Sequence, residues 1–132
     1  RLDVPRSDPA TPISFEFFMN SNIQAPEFDP RLFWVALYNQ NFIGFTGLYP
    51  ITNSTSLDQW LTAVKREYRG KHIALALKVR SIQYAKEHTY THIRTDNDSR
   101  NAPMIAINNK LGFERGMASL SLAKILKPEL SQ

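Results

Sequence analysis

Residues 57–74 constrain this chain more than any other stretch. An apolar, strand-like run ends at Val64, and a short charged connection follows. Arg69-Gly70-Lys71-His72 then opens a helix that continues through Ile73-Ala74-Leu75-Ala76-Leu77-Lys78. A strand that turns almost directly into a helix leaves the first backbone N–H groups of that helix without intrahelical acceptors. The helix dipole puts partial positive charge at that end, and Arg69 and Lys71 add full charges, so the junction suits a phosphate. Gly70 allows a close backbone approach and a positive φ. Taken alone, the stretch also describes an ordinary strand-to-helix turn with exposed basic residues.

Two better-known phosphate motifs are excluded. No Lys-Ser/Thr pair follows the glycine, so this is not a nucleoside-triphosphate loop, and there is no G-x-G-x-x-G dinucleotide fingerprint. The remaining chain reads as alternating short strands and helices. Thr11-Pro12 has the form of a helix start, with Thr11 as cap and Phe15, Phe18 and Met19 at helical spacing toward a core. Polar residues 20–30, broken by Pro26 and Pro30, read as a loop. Residues 32–38 and 42–49 read as strands joined by an Asn39-Gln40-Asn41 turn, and residues 57–64 as the third strand of the meander. Gly44 and Gly47 predict a bulge or a close packing contact.

A helix over 71–88 has apolar residues on more than one side: Ile73, Leu77 and Tyr84, then Leu75, Val79 and Ile82. The strand expected at 91–95 lies beyond that helix and is therefore expected to run parallel to 57–64. Residues 96–100 read as a loop. Asn101 caps a last helix with Pro103 in its first turn, an apolar face of Met104, Ile107 and Leu111, and Gly112 at its end. Residues 117–126 alternate well enough for a final strand. The expected organisation is an extended lead-in over 1–10, one α/β domain over 11–126, and a tail over 127–132.

Composition narrows the function classes. At 132 residues, with 42% hydrophobic and 21% charged residues, the chain fits one globular domain with a real core. It contains no cysteine, which rules out disulfides, a cysteine nucleophile and thiolate metal sites and fits a cytoplasmic location. His88 and His92 have no third ligand at suitable spacing, so no metal is expected. No run is long enough to span a bilayer, so no membrane partner is expected. The net charge of +4 comes from lysine and arginine spread along the chain. They form no block interleaved with aromatics, so nucleic acid is not an expected partner.

The segment Arg69-Gly70-Lys71-His72-Ile73-Ala74 resembles the acetyl-coenzyme A loop of the GNAT N-acetyltransferase superfamily, Q/R-x-x-G-x-G/A. Arg69 and Ala74 match, and His72 stands where the signature has its middle glycine. Thr95-Asp96-Asn97, Asn101, Met104, Asn108 and Leu111-Gly112-Phe113 resemble the second signature, a helix begun by Asn and ended by Leu-Gly-Phe. The match covers roughly residues 32–126. Gln59-Trp60, Thr62, Tyr68-Arg69-Gly70, Leu77-Lys78 and Asn101…Met104…Asn108 look like the branch of mycothiol-synthase-like and tandem GNAT proteins.

The resemblance implies a mixed, twisted sheet in which two parallel strands splay apart around coenzyme A. Backbone groups of Thr62, Ala63 and Val64 would hold the pantetheine arm and acetyl group. Backbone N–H groups of Arg69, Gly70, Lys71, His72, Ile73 and Ala74 would hold the pyrophosphate, with Asn101 and Met104 across the cofactor. In the superfamily a tyrosine near the end of the last helix often protonates the leaving thiolate. Here that position is Asn108, which can orient a thioester but cannot supply a proton at neutral pH. Asp58 stands where protein-modifying members carry a glutamate base, and even spacing puts it on the face of Val64 if no bulge intervenes. The alternative is a solvent-facing Asp58 with water as base. Tyr68, Tyr90 and His92 are weaker candidates.

The implied function is acetyl transfer from acetyl-coenzyme A to a primary amine of a small molecule or peptide. The alternative is a non-catalytic acyl-coenzyme A-binding domain of a larger or tandem protein. The superfamily fold opens with a strand and helix that residues 1–10 are too polar and proline-rich to supply. A domain lacking them is therefore expected, with an exposed sheet edge that favours a homodimer or a tandem partner domain.

Overall fold

The computed structural model describes residues 11–120 together with Leu122 and Lys124. Helix α1 (Phe15–Phe18) leads through a π-type turn (Met19–Ile23) and a 3-10 turn (Pro30–Leu32) into strands β1 (Phe33–Tyr38), β2 (Asn41–Pro50) and β3 (Ser56–Val64). A second 3-10 turn (Arg66–Tyr68) precedes α2 (Ile73–Glu87), which is followed by β4 (His92–Thr95) and α3 (Ala102–Lys110). The strands form one sheet in the order β1-β2-β3-β4, antiparallel except for the parallel β3–β4 pair. The mixed α/β sheet, the meander and the parallel crossover expected from the sequence are all present.

Local chemistry accounts for the frame. Asn39 and Gln40 both take positive φ, 46° and 67°, which gives the β1–β2 hairpin a two-residue turn matched to strand twist. Gly47 has no side chain because a Cβ there would lie 2.5 Å from the Phe33 ring. Bulges interrupt both antiparallel ladders. Ile43 is the extra residue of β2, since Ala36 pairs with Gly44 and Leu37 with Phe42. Trp60 is the extra residue of β3, since Gly47 pairs with Leu61 and Leu48 with Gln59.

One sheet face carries the core: Leu32, Leu48, Leu57 and Ala85 are buried together, with Trp34 and Tyr84 packed against them. The other carries an aromatic cluster in which Trp60 contacts Phe18, Phe33, Phe45 and Tyr49, at centroid distances of 5.9–6.2 Å.

Several expectations are corrected. Ser14, not Thr11, caps α1 by accepting from the Phe17 N–H at 3.0 Å, and Phe15 is 78% exposed. Helical structure runs on to Ile23, where a loop was expected from residue 20. Helix α2 buries one face, Leu77, Lys78, Ser81 and Ala85, and leaves Val79 exposed. In α3 the buried residue is Asn108 rather than Met104, Ile107 or Leu111. Residues 117–120 form no strand, and most of the expected strand over 117–126 lies outside the described residues, as do the lead-in and the tail. Among the described residues β1 pairs only with β2, so its other edge is open.

Candidate active site

The site begins where β4 ends and β3 runs on. Their pairing runs from Ser56↔His92 to Gln59↔Thr95 and stops, while β3 continues to Val64. Past Gln59, the edge of β3 that faced β4 has no partner strand among the described residues. An extended ligand can use such an edge as an additional strand would.

The gap opens into a cavity of about 1060 Å³. Thr62, Ala63 and Val64 line one side, Arg69, Gly70, His72, Ile73 and Ala74 its end, and Asn101 and Met104 the opposite side. Ten residues expected at the cofactor thus meet at one cavity. Lys71 and Asn108 do not line it. The Lys71 ammonium sits 5.5 Å over the Tyr68 ring.

The end of α2 is built as an anion cradle, with one correction. The Arg69 N–H is already taken by the Arg66 carbonyl at 3.2 Å. The N–H groups of Gly70, Lys71, His72, Ile73, Ala74 and Leu75 donate to no acceptor among the described residues, and the helix's first backbone bond is from Ala76 to His72. Gly70 has φ +73°, and nothing lies within 4 Å of where its Cβ would be. His72 also lies in the left-handed region, φ 60°. The backbone shape that favours glycine is therefore kept with a residue that strains to adopt it. The Arg69 guanidinium turns inward and donates to the Val64 carbonyl at 3.0 Å, tying the loop to β3.

Across the gap, the Asn101 side chain accepts from the Met104 N–H at 3.4 Å, a long capping bond that leaves its NH2 group for a ligand. The donor set thus fits a phosphate-bearing, extended ligand: unbonded N–H groups at a helix start, a free strand edge and an amide across the gap.

A second cavity of about 840 Å³ shares Phe45, Thr62, Ala63, Asn101 and Met104 with the first. Phe15, Phe17, Phe18 and Trp60 form its apolar side, and Asp96 and Asp98 its acidic side. The hydrogen-bonded Arg100 guanidinium holds the Asp98 carboxyl down at about 2.

The catalytic expectations fare differently. The Trp60 bulge reverses side-chain parity along β3, so Asp58, paired with Tyr49, faces away from Val64, paired with Gly44. Asp58 is bound by Arg94 on β4 at 3.1 Å and lines neither cavity. Asn108 is 6% exposed and lines neither cavity, and its Oδ1 has no hydrogen-bond partner.

Sequence reasoning missed Lys78. It is 1% exposed, borders the second cavity and donates to Gln59 Oε1 at 2.8 Å. Burial lowers its pKa from 10.5 to about 8. The only sequence signal was a lysine one position after Leu77 on a widely apolar helix.

A parallel strand pair in which β3 runs on alone past the end of β4, with a phosphate-ready helix start following it, is the arrangement expected of an acyl-coenzyme A transferase fold. The model of the Acetyltransferase (GNAT) family matches residues 5–113, and the chain belongs to that family. The human protein N-acetyltransferase 8B is 28% identical over 87 residues, covering 63% of this chain and 38% of its own length. The chain thus spans well under half of that curated relative.

Among solved structures, the ribosomal-protein-S18-alanine N-acetyltransferase of Escherichia coli superposes with a TM-score of 0.68 at 19% identity, over 82% of this chain and 65% of that one. A PaiA N-acetyltransferase of Thermoplasma acidophilum, solved with coenzyme A, gives 0.62 at 23% identity, over 67% and 54%. These likenesses establish the fold. Among the described residues no helix is long and apolar enough to cross a membrane, and no group of His, Asp and Glu could hold a metal.

Proposed function

We propose that this domain binds acetyl-coenzyme A in the larger cavity and transfers its acetyl group to a primary amine entering through the second. The observation that carries this reading is the unbonded N–H run from Gly70 to Leu75, opening onto the same cavity as the free edge of β3 and Asn101. Gly70, His72, Ile73 and Ala74 would hold the pyrophosphate, and Lys71 would add charge from outside the wall. Backbone groups of Thr62 and the N–H of Val64, on either side of Ala63, would take the pantetheine arm, since Arg69 holds the Val64 carbonyl, and Asn101 and Met104 would close the other side.

When bound, acetyl-coenzyme A supplies an acetyl thioester, whose carbon–sulfur bond breaks as the carbon–nitrogen bond forms. The amine loses one proton and the thiolate gains one. Asp58 is engaged by Arg94, which favours water as the amine's base. Asn108 lies away from the gap, so the thiolate draws its proton from water. The aromatic side of the second cavity, with Asp96 beside it, suits a small-molecule or peptide amine with an apolar portion. Gln59-Trp60, Thr62 and Leu77-Lys78 support the mycothiol-synthase-like or tandem branch.

Thermal melting with and without acetyl-coenzyme A tests the reading. Ligand at ~100 times its dissociation constant stabilises by about 2.7 kcal/mol, a clear upward shift. No shift sinks the assignment. Asn108 at the usual acid position, buried away from both cavities, favours a second reading, a domain that binds acyl-coenzyme A without turnover. A melting shift without thiol release across a panel of a dipeptide, an aminoglycoside and a polyamine would select it.

A further inference from the structure

A buried polar chain runs through the core behind the β3–β4 gap, and the chemistry of its members fixes its direction. Lys78 Nζ can only donate, so the Gln59 atom facing it at 2.8 Å must be Oε1. That orients the Gln59 amide, and its Nε2 donates to Thr46 Oγ1 at 2.7 Å. Thr46 is wholly buried, and its hydroxyl has one remaining neighbour, Thr62 Oγ1 at 2.8 Å. Satisfying the Thr46 hydrogen therefore means donating to Thr62. The Thr62 hydrogen is then turned away from Thr46, with no acceptor among the described residues. Thr62 borders both cavities. The Trp60 bulge makes this geometry: it puts Gln59 and Thr62, an odd separation, on the face of Thr46 and Leu48.

We infer that Lys78 is a positioning residue that acts through Gln59 and Thr46 to present the Thr62 hydroxyl as a hydrogen-bond donor to the thioester carbonyl oxygen. The inference rests on the proposed cofactor site and adds to it a source of carbonyl polarisation. Each bond in a one-way chain polarises the next, by roughly 10–30% per bond in condensed-phase estimates. A cation at its head strengthens the terminal donor, where negative charge develops during acyl transfer. A folding role alone is a poor reason for a lysine buried to this depth, because a well-packed apolar side chain commonly serves stability as well or better.

Isotope-edited infrared spectroscopy of carbonyl-labelled acetyl-coenzyme A bound to the intact chain reads the hydrogen bond without any acceptor amine. The carbonyl stretch should fall below its solution frequency on the wild type. The shift should vanish in Thr62→Val and shrink in Gln59→Leu and Lys78→Met. Affinity should stay within about tenfold, the scale of a single hydrogen bond. A packing role would change melting and affinity while leaving the frequency in place. Should Lys78→Met fail to fold, Gln59→Leu breaks the same chain.

An unshifted carbonyl on the wild type, or an unchanged shift in Thr62→Val, overturns the inference and leaves the cofactor reading standing. Loss in Thr62→Val with full shifts in both Gln59→Leu and Lys78→Met overturns the role of Lys78. Absence of acetyl-coenzyme A binding to the wild type overturns the cofactor reading itself, and the inference with it.

Discussion

Lys78→Met makes a sharp prediction about stability and pH. Burial lowers the lysine pKa from 10.5 to about 8, so at neutral pH the folded protein holds a desolvated ammonium. The shift corresponds to about 3 kcal/mol of disfavoured folding. Methionine matches the length of the side chain and removes that penalty. It also leaves Gln59 Oε1 without its donor, which costs roughly 1–3 kcal/mol. The balance at pH 7 is a gain of about 1 kcal/mol, or ~3–5 °C in melting temperature for a chain of this size.

The sign reverses with alkali. The folded pKa is depressed, so between about 8 and 10.5 the unfolded chain binds more protons and wild-type stability rises with pH. Methionine has no such titration, so the wild type overtakes the variant as pH climbs through that window. Asp96 and Asp98 border the same cavity, but both proteins carry them, so they cancel in the comparison. Denaturant titrations of both proteins at pH 7 and near pH 10.5 give the comparison. A variant less stable at pH 7 by an amount that does not change with pH would refute the reasoning.

His72 holds φ 60° where a left-handed residue is strained, so His72→Gly should stabilise the fold by about 1 kcal/mol in a melt and leave acetyl-coenzyme A affinity intact or improved. Gly47→Ala would drive a methyl to 2.5 Å from the Phe33 ring and should cost roughly 1–3 kcal/mol by the same measurement. Asn108→Leu removes a buried acceptor that has no donor and should be neutral or stabilising, with unchanged cofactor binding. A large loss of affinity would return Asn108 to the site. Asp58→Asn should leave the pH–rate profile of amine acetylation unchanged, because Arg94 holds the carboxylate away from the gap. A lost alkaline-recoverable rate would restore Asp58 as base.

The frame was legible because it rests on local chemistry. The Asn39-Gln40 turn, the Asn101 cap, the Gly112 stop and the helix between parallel strands each follow from residues close in sequence. That Thr62 and Gly70 border one cavity was legible because strand, turn and helix follow in direct succession.

What failed depended on register and burial. One extra residue, Trp60, inverts which side chains share a face, and no pattern of hydrophobicity marks it. It undid the alignment of Asp58 with Val64 and created that of Gln59 with Thr46. Lys78 and Asn108 are polar residues that hydrophobicity alone assigns to solvent, yet each is buried. The start of α1 was misplaced because Thr11 and Ser14 both carry a capping hydroxyl, and only Ser14 has the Phe17 N–H within reach.

Amide hydrogen exchange with and without acetyl-coenzyme A tests the central claim most directly, because it reads both occupancy and place. The account predicts slowed exchange at residues 61–64, at 70–75 and around 101–104, with little change in the β1–β2 hairpin. Binding that protects a different surface, or no protection anywhere at saturating acetyl-coenzyme A, would contradict it.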